Sequence, residues 1–312
     1  MTKRYLVVGI NDYTGLDASG KSNLSSCVAD ANSMSDLLVS SFGFTAAESQ
    51  TLTDQQASSA GIQAALRTLL AKSTPGDVVC LYYSGHGARI PGVDTQADCD
   101  KFYECIVPAS GAFISDRDLF TLGNTLEPSV VNFTVILDSC HSGGMDQETD
   151  ASFKCKSPVM SADMAQRIED FLKTLIPCGI LIPPDSQACA DNVTCSPTAS
   201  VGHPSISEDP DKVFIDQAKT TLIAGCKFDE LSWETGGHGL LTKAFLNIIN
   251  ACNFQVSYSD LLDQLRTNVT ADFNQVILPG VSSGTPRSQT PQLRGQKNRM
   301  SDQFLDGFVD SR

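Results

Sequence analysis

Two short apolar runs in this chain each end in a side chain able to do chemistry. The first is Asp77-Val-Val-Cys-Leu-Tyr-Tyr-Ser-Gly-His86-Gly87, and the second is Asn132-Phe-Thr-Val-Ile-Leu-Asp138-Ser139-Cys140-His141-Ser142-Gly143-Gly144. A thiol has an unperturbed pKa near ~8.5 and is mostly protonated at neutral pH, so Cys140 needs a base to become a nucleophile. An imidazole suits that task because it can take the thiol proton and later return it to a leaving amine. His86 is the expected base. Its rival His141 adjoins the thiol, and neighbours on an extended backbone point to opposite faces. An imidazole and a thiol so arranged make a cysteine hydrolase. The negative charge that develops on a carbonyl oxygen during such a reaction needs fixed donors, and the backbone N–H groups of Gly87 and Cys140 are the candidates.

These groups must be held by a scaffold. A continuous apolar run between polar or glycine residues suits a strand buried on both faces. Open α/β sheets place their chemistry at the carboxyl ends of such strands. Strands are expected at 4–10, 77–83, 103–107, 132–138, 213–216 and 220–225, with helices at 27–41, 59–72, 116–122, 238–250 and 258–269. This alternation predicts an α/β three-layer sandwich, a mainly parallel sheet with helices on both faces. Pro177, Pro183, Pro184, Pro197, Pro204 and Pro210 punctuate 146–210, a stretch rich in Ser, Asp and Cys with one amphipathic segment at 162–175. Residues 1–145 and 213–312 are therefore expected to build one catalytic domain, with 146–212 as a linker or insertion between them. The stretch 279–300 reads mostly as loop.

Tyr83-Ser84-Gly85-His86-Gly87 and Asp138-Ser139-Cys140-His141-Ser142-Gly143 resemble the two catalytic boxes of metacaspases and their bacterial caspase-like relatives. Tyr5 to Asn11, Leu24 to Ala31, Glu104 to Pro108, Ile114 to Asp118, Leu222 to Lys227, Gly239 to Phe245 and Thr290 to Leu293 extend the likeness over roughly 3–145 and 213–300. The resemblance implies a caspase-like fold, an endopeptidase with His86 and Cys140 as a dyad, and a backbone carbonyl in place of a third side chain. It also implies a specificity pocket made of Cys27, Asp30, Ser84 and Asp138. Two carboxylates there should select Arg or Lys before the cut bond, since leaving a buried charge unpaired costs about 2–5 kcal/mol. Asp138 and Cys140 lie two apart on one strand and so share a face. Other members of the wider clan, legumain-like or separase-like, would differ in specificity, and a catalytically silent homologue would act as a scaffold.

Many metacaspases are activated by calcium. At the positions that carry carboxylates in those relatives this chain has Tyr103, Asp116 followed by Arg117, and Asp146. Two acids are thus missing, so no cofactor is expected, calcium included. Cys155, Cys178, Cys189 and Cys195 with His203 lack a close pair of ligands, which argues against structural zinc. His203 and His238 fall in loop-like contexts and receive no role.

The 312 residues suffice for a full core, and 41% hydrophobic with 19% charged residues is ordinary for a globular protein. No apolar run approaches the roughly 18 residues of a membrane span. The apolar stretch near the N-terminus breaks at Asn11, too early for an export signal. With eleven cysteines and no such signal, reduced thiols and a cytoplasmic location are expected. The net charge of −14 opposes nucleic acid and anionic membranes and favours cationic partners. The expected partners are peptide or protein substrates with exposed Arg or Lys, met by a monomer. The sequon at Asn132 opens a core strand and reads as chance. Lys154, Lys156, Arg167, Lys173, Lys212 and Lys219 lie in a stretch expected to be exposed, and suit self-processing by such a pocket.

Overall fold

The computed structural model of the chain describes residues 1–91, 102–123, 125, 131–140, 153–175, 220–252, 254–282 and 284–306. In chain order the larger elements begin β1 (Lys3–Gly9), α1 (Cys27–Phe42), β2 (Gln50–Thr53), α2 (Ser59–Ala71), β3 (Val78–Ser84), β4 (Gly87–Pro91), β5 (Phe102–Ile106) and β6 (Ile114–Ser115). They continue with α3 (Asp116–Gly123), β7 (Asn132–Asp138), β8 (Phe153–Cys155), α4 (Ala162–Leu175), β9 (Thr220–Ala224), β10 (Trp233–Thr235), β11 (His238–Gly239), α5 (Leu240–Ala251), α6 (Tyr258–Asp272) and β12 (Gln292–Arg294).

Six strands form the central sheet in the order β12-β9-β7-β3-β1-β2, every neighbouring pair parallel except β9 with β12. Period-two alternation divides the strand residues between two cores. Leu6, Val8, Val79, Leu81, Tyr83, Phe133 and Val135 pack on one face with residues of α2, α3 and α4. Tyr5, Val7, Cys80, Tyr82 and Ile136 pack on the other with α1, α5 and α6. Burial on both faces is why these strands read as unbroken apolar runs. The sandwich is the α/β architecture expected. The strand expected at 213–216 lies outside the described residues.

The register of the two central strands positions the chemistry. Ser84 on β3 pairs with Asp138 on β7, so His86 and Cys140 emerge two residues beyond a matched pair. The chain after His86 turns into β4, which with β5 and β6 forms a small antiparallel sheet. A second small sheet, β11-β10-β8, brings the 153–155 segment against Trp233–Thr235. Asn132 is buried, and its amide bonds the Tyr258 hydroxyl and the Asp306 carbonyl, which leaves no room for a glycan.

Asp77 anchors the entry to β3. It accepts from Arg4 Nη1 at 2.7 Å, from Thr2 N at 2.6 Å and from the backbone and hydroxyl of Thr74. Burial alone would raise its pKa, but these donors hold the carboxyl down at about 2, against 3.8 when free. The stabilisation is therefore present above pH 3.8 and lost as pH falls through 2. Asp77→Asn is expected to cost about 2 kcal/mol at pH 7 and about half that near pH 3. Urea midpoints at the two pH values check it; an equal loss at both would contradict this origin.

Candidate active site

His86 leaves β3 on a short turn and is buried, its ring 4.4 Å from that of Tyr13. The Tyr13 hydroxyl accepts from the His86 backbone N–H at 2.8 Å. Nε2 lies 2.5 Å from the Ser22 carbonyl. A carbonyl can only accept, so Nε2 carries the proton and Nδ1 keeps its lone pair. Nδ1 has no hydrogen-bond partner among the described residues. The Ser22 carbonyl thus does the orienting that no acidic side chain does here. Asp17 holds that loop by accepting from Ser22 N at 2.9 Å and from the Ser19 hydroxyl. Burial pushes the His86 pKa down to about 4, so the imidazole is neutral at physiological pH.

Cys140 is also buried. Its sulfur accepts from Ser232 N–H at 3.0 Å, lies 3.3 Å from the Ser232 carbonyl, and is 3.5 Å from Cys155 Sγ. No hydrogen bond joins the thiol to His86 in this state.

What fills the cleft is the chain itself. β8 runs antiparallel to β10, with Cys155 opposite Trp233 and Lys154 opposite Glu234. Lys156 continues the strand, its N–H donating to the Ser232 carbonyl at 2.9 Å. The Lys156 carbonyl accepts from Gly87 N at 3.1 Å and from Cys140 N at 3.4 Å. Those are the two N–H groups singled out as oxyanion donors. The Lys156 side chain is fully buried, its Nζ 3.1 Å from Asp138 Oδ1, 3.3 Å from Asp30 Oδ2 and 2.9 Å from Ser84 Oγ. Burial alone would strip its proton, but Asp138 foremost, with Asp30, reverses this and holds its pKa well above the usual value.

The two acids are each held by donors of their own. Asp138 accepts from Ser232 Oγ, Thr242 N and Thr242 Oγ1. Asp30 sits in the first turn of α1, where a helix N-terminus favours an anion. It accepts from Ser84 Oγ at 2.8 Å and from Gly239 N with both oxygens. Burial opposes its charge, yet Lys156, His238, Ser84 and Gly239 together bring its pKa below the free value.

Of the residues read from the sequence, Gly87, Cys140, Asp30, Ser84 and Asp138 all meet Lys156, with His86 next to Gly87 in the chain and a qualification for Cys27. Its thiol points to Glu234 Oε2 at 3.7 Å. Glu234 also takes Ser25 N and Ser26 N, fixing the loop before α1 to β10. Two expectations need correction. Lys156 is not exposed; it is sealed in the pocket by two carboxylates. His238 is not without a place, since its Nδ1 lies 2.9 Å from Asp30 Oδ1. Gly239, Ser232 and Ser22 were also missed: Ser22 acts through its carbonyl, Gly239 through its N–H and its lack of a side chain, and Ser232 through its backbone and a hydroxyl that meets Asp138. Of the other basic residues, Arg167 and Lys173 lie in helix α4, while Lys212 and Lys219 fall outside the described residues, as does His141.

Of the expected calcium positions, those of Tyr103, Asp116 and Arg117 are among the described residues. The Arg117 guanidinium stands 5.5 Å from the Tyr103 ring centre and its Nη1 is 3.4 Å from the phenol oxygen, placing a fixed positive charge there. Asp146 is outside the described residues.

Residues 2–300 match the caspase domain family, and the chain belongs to that family. Metacaspase-4 of Arabidopsis thaliana is 38% identical over 153 residues, which is 47% of this chain and 35% of that protein. Metacaspase-1A of Neurospora crassa is 28% identical over 299 residues, 91% of this chain and 63% of that one. The chain thus spans less than two thirds of the length of these relatives. Among solved structures, a protein of Geobacter sulfurreducens superposes with a TM-score of 0.64 at 18% identity, covering 99% of this chain and 100% of that one. Caspase-1 from Spodoptera frugiperda does so with a TM-score of 0.51 at 12% identity, covering 100% and 91%. These two share the fold. No helix among the described residues is long and apolar enough to cross a membrane.

Proposed function

We propose that the protein is a cysteine endopeptidase of metacaspase type that cuts after Lys or Arg, and that this structure is its self-occupied form. The observation that carries the reading is the placement of Lys156: ammonium between Asp30 and Asp138, carbonyl on the N–H groups of Gly87 and Cys140. Family membership supports the chemistry. In the reaction the Cys140 thiol rotates from Ser232 toward the carbonyl carbon and gives its proton to His86 Nδ1. Sulfur attacks, and the carbonyl oxygen takes the electron pair while the two N–H groups stabilise it. Collapse of that intermediate breaks the C–N bond, and the imidazolium gives its proton to the leaving amine. Water activated by the same imidazole then hydrolyses the thioester and restores both groups. Lys156–Ser157 is the bond so presented. Arg167 and Lys173 would first need their helix unwound.

A fluorogenic panel with Lys, Arg, Asn or Asp before the scissile bond tests the specificity. Turnover of the Lys and Arg members is expected, with at least a hundredfold lower kcat/KM for Asp, on the order of the cost of an unpaired buried charge. Preference for Asn or Asp would overturn the reading.

The guanidinium at Arg117 supports calcium-independent activity. Turnover in a chelator is expected to equal turnover in millimolar calcium, and strong stimulation by calcium would contradict this.

A further inference from the structure

The pocket holds one titratable group that the reaction does not use. His238 begins β11, next to Gly239, and its imidazole meets Asp30 from the side opposite Lys156. Nδ1 is 2.9 Å from Asp30 Oδ1, while the Lys156 ammonium takes Oδ2 at 3.3 Å. The Asp30 carboxylate is fully buried and cannot turn to water. The His238 side chain is 31% exposed, so it exchanges protons with solvent.

The charged groups around the imidazole come from four elements. Asp30 faces it from α1, Asp138 from β7 and Lys156 from the end of β8. Glu234 on β10 pairs with Gly239, but its carboxylate is turned to Ser25, Ser26 and Cys27. With Lys156 in place the two pocket acids are half compensated. An imidazolium adds a second cation on the same carboxylate, and two cations sharing one anion repel across a short, poorly screened distance.

We propose that His238 is a specificity-determining residue of this pocket, competing through its proton with the incoming Lys or Arg for Asp30. The inference rests on the basic-residue pocket of the proposed function. By linkage the coupling is reciprocal: a proton on His238 weakens the hold on a basic side chain, and a basic side chain weakens the hold on the proton. The hydrogen bond to Asp30 raises the His238 pKa, burial and Lys156 oppose this, and the net shift is upward. The imidazole thus charges at a higher pH than a free one would, and basic residues bind more tightly when it is neutral than when it is charged.

The test follows KM of a Lys peptide from pH 8 to pH 5.5 in wild type and in His238→Gln, whose amide can still bond Asp30 but does not titrate. Wild-type KM is expected to rise about three- to tenfold over that span, one unit of coupled pKa being tenfold. In His238→Gln it is expected to stay level. Level KM in wild type, or the same rise in both, overturns the proposal. A second arm needs no turnover: NMR titration of the His238 ring in Cys140→Ala and in Cys140→Ala with Lys156→Met. The His238 pKa is expected to be higher, by half a unit or more, in the protein without the Lys156 cation; equal or lower values overturn it. Should no basic peptide be cut at any pH, the proposed function falls while this second arm still decides the role of His238.

Discussion

Cys140→Ala and His86→Ala are each expected to lower kcat/KM for Lys and Arg peptides by at least ~10⁴, with the far-ultraviolet circular dichroism of the wild type retained. The size follows from what is removed. Without Cys140 there is no atom to form the acyl-enzyme, and without His86 the thiol keeps its proton. Dyad and triad members elsewhere act as a unit, so that losing one costs nearly as much as losing all. Both side chains lie at strand ends beyond the last ladder pair, Ser84 with Asp138, so their truncation leaves the central sheet in register. Turnover near wild type in either variant would remove the dyad. Loss of the fold in both would mean that they serve the core instead.

Gly239→Ala is expected to lower kcat/KM for the same peptides at least a hundredfold, mostly through KM. Gly239 has φ −66° and ψ 147°, which any residue adopts, so alanine brings no backbone strain. A methyl group there would instead collide with the Asp138 carboxylate and with the Lys156 ammonium. It occupies the floor on which a basic side chain rests. Asp138→Asn and Asp30→Asn test the same pocket by charge, and each is expected to cost about 2–5 kcal/mol of binding, roughly 30- to several-thousand-fold. Their parent contacts to Thr242, Ser232 and Gly239 are ones an amide can partly keep. Wild-type kinetics in Gly239→Ala together with unchanged kinetics in both amide variants would contradict a basic specificity pocket.

Much of the positioning was legible because strands buried on both faces leave a strong mark. The runs at 77–83 and 132–138 ended where β3 and β7 end, within a residue, and the reactive side chains follow them directly. The amphipathic segment at 162–175 is the helix α4. Short elements left no such mark. β8, β10 and β11 have two or three residues each, too few to show a period, and they exist because they pair with one another. That is why Lys156 read as an exposed basic residue in a proline-punctuated stretch. Its burial depends on two carboxylates that are 126 and 18 positions away in the chain, and only the fold brings them together. His238 was passed over for the same reason: its partner Asp30 lies in the first turn of a helix 208 residues earlier.

The central claim is that the cleft holds its own scissile bond, Lys156–Ser157, in the register of a substrate. Intact-mass analysis and N-terminal sequencing of purified wild type beside Cys140→Ala test it most directly. The account predicts a fragment beginning Ser157-Pro158-Val159 in wild type and a single uncut chain in Cys140→Ala. A fully active wild type that stays intact at Lys156, or the same cut appearing in Cys140→Ala, would contradict it.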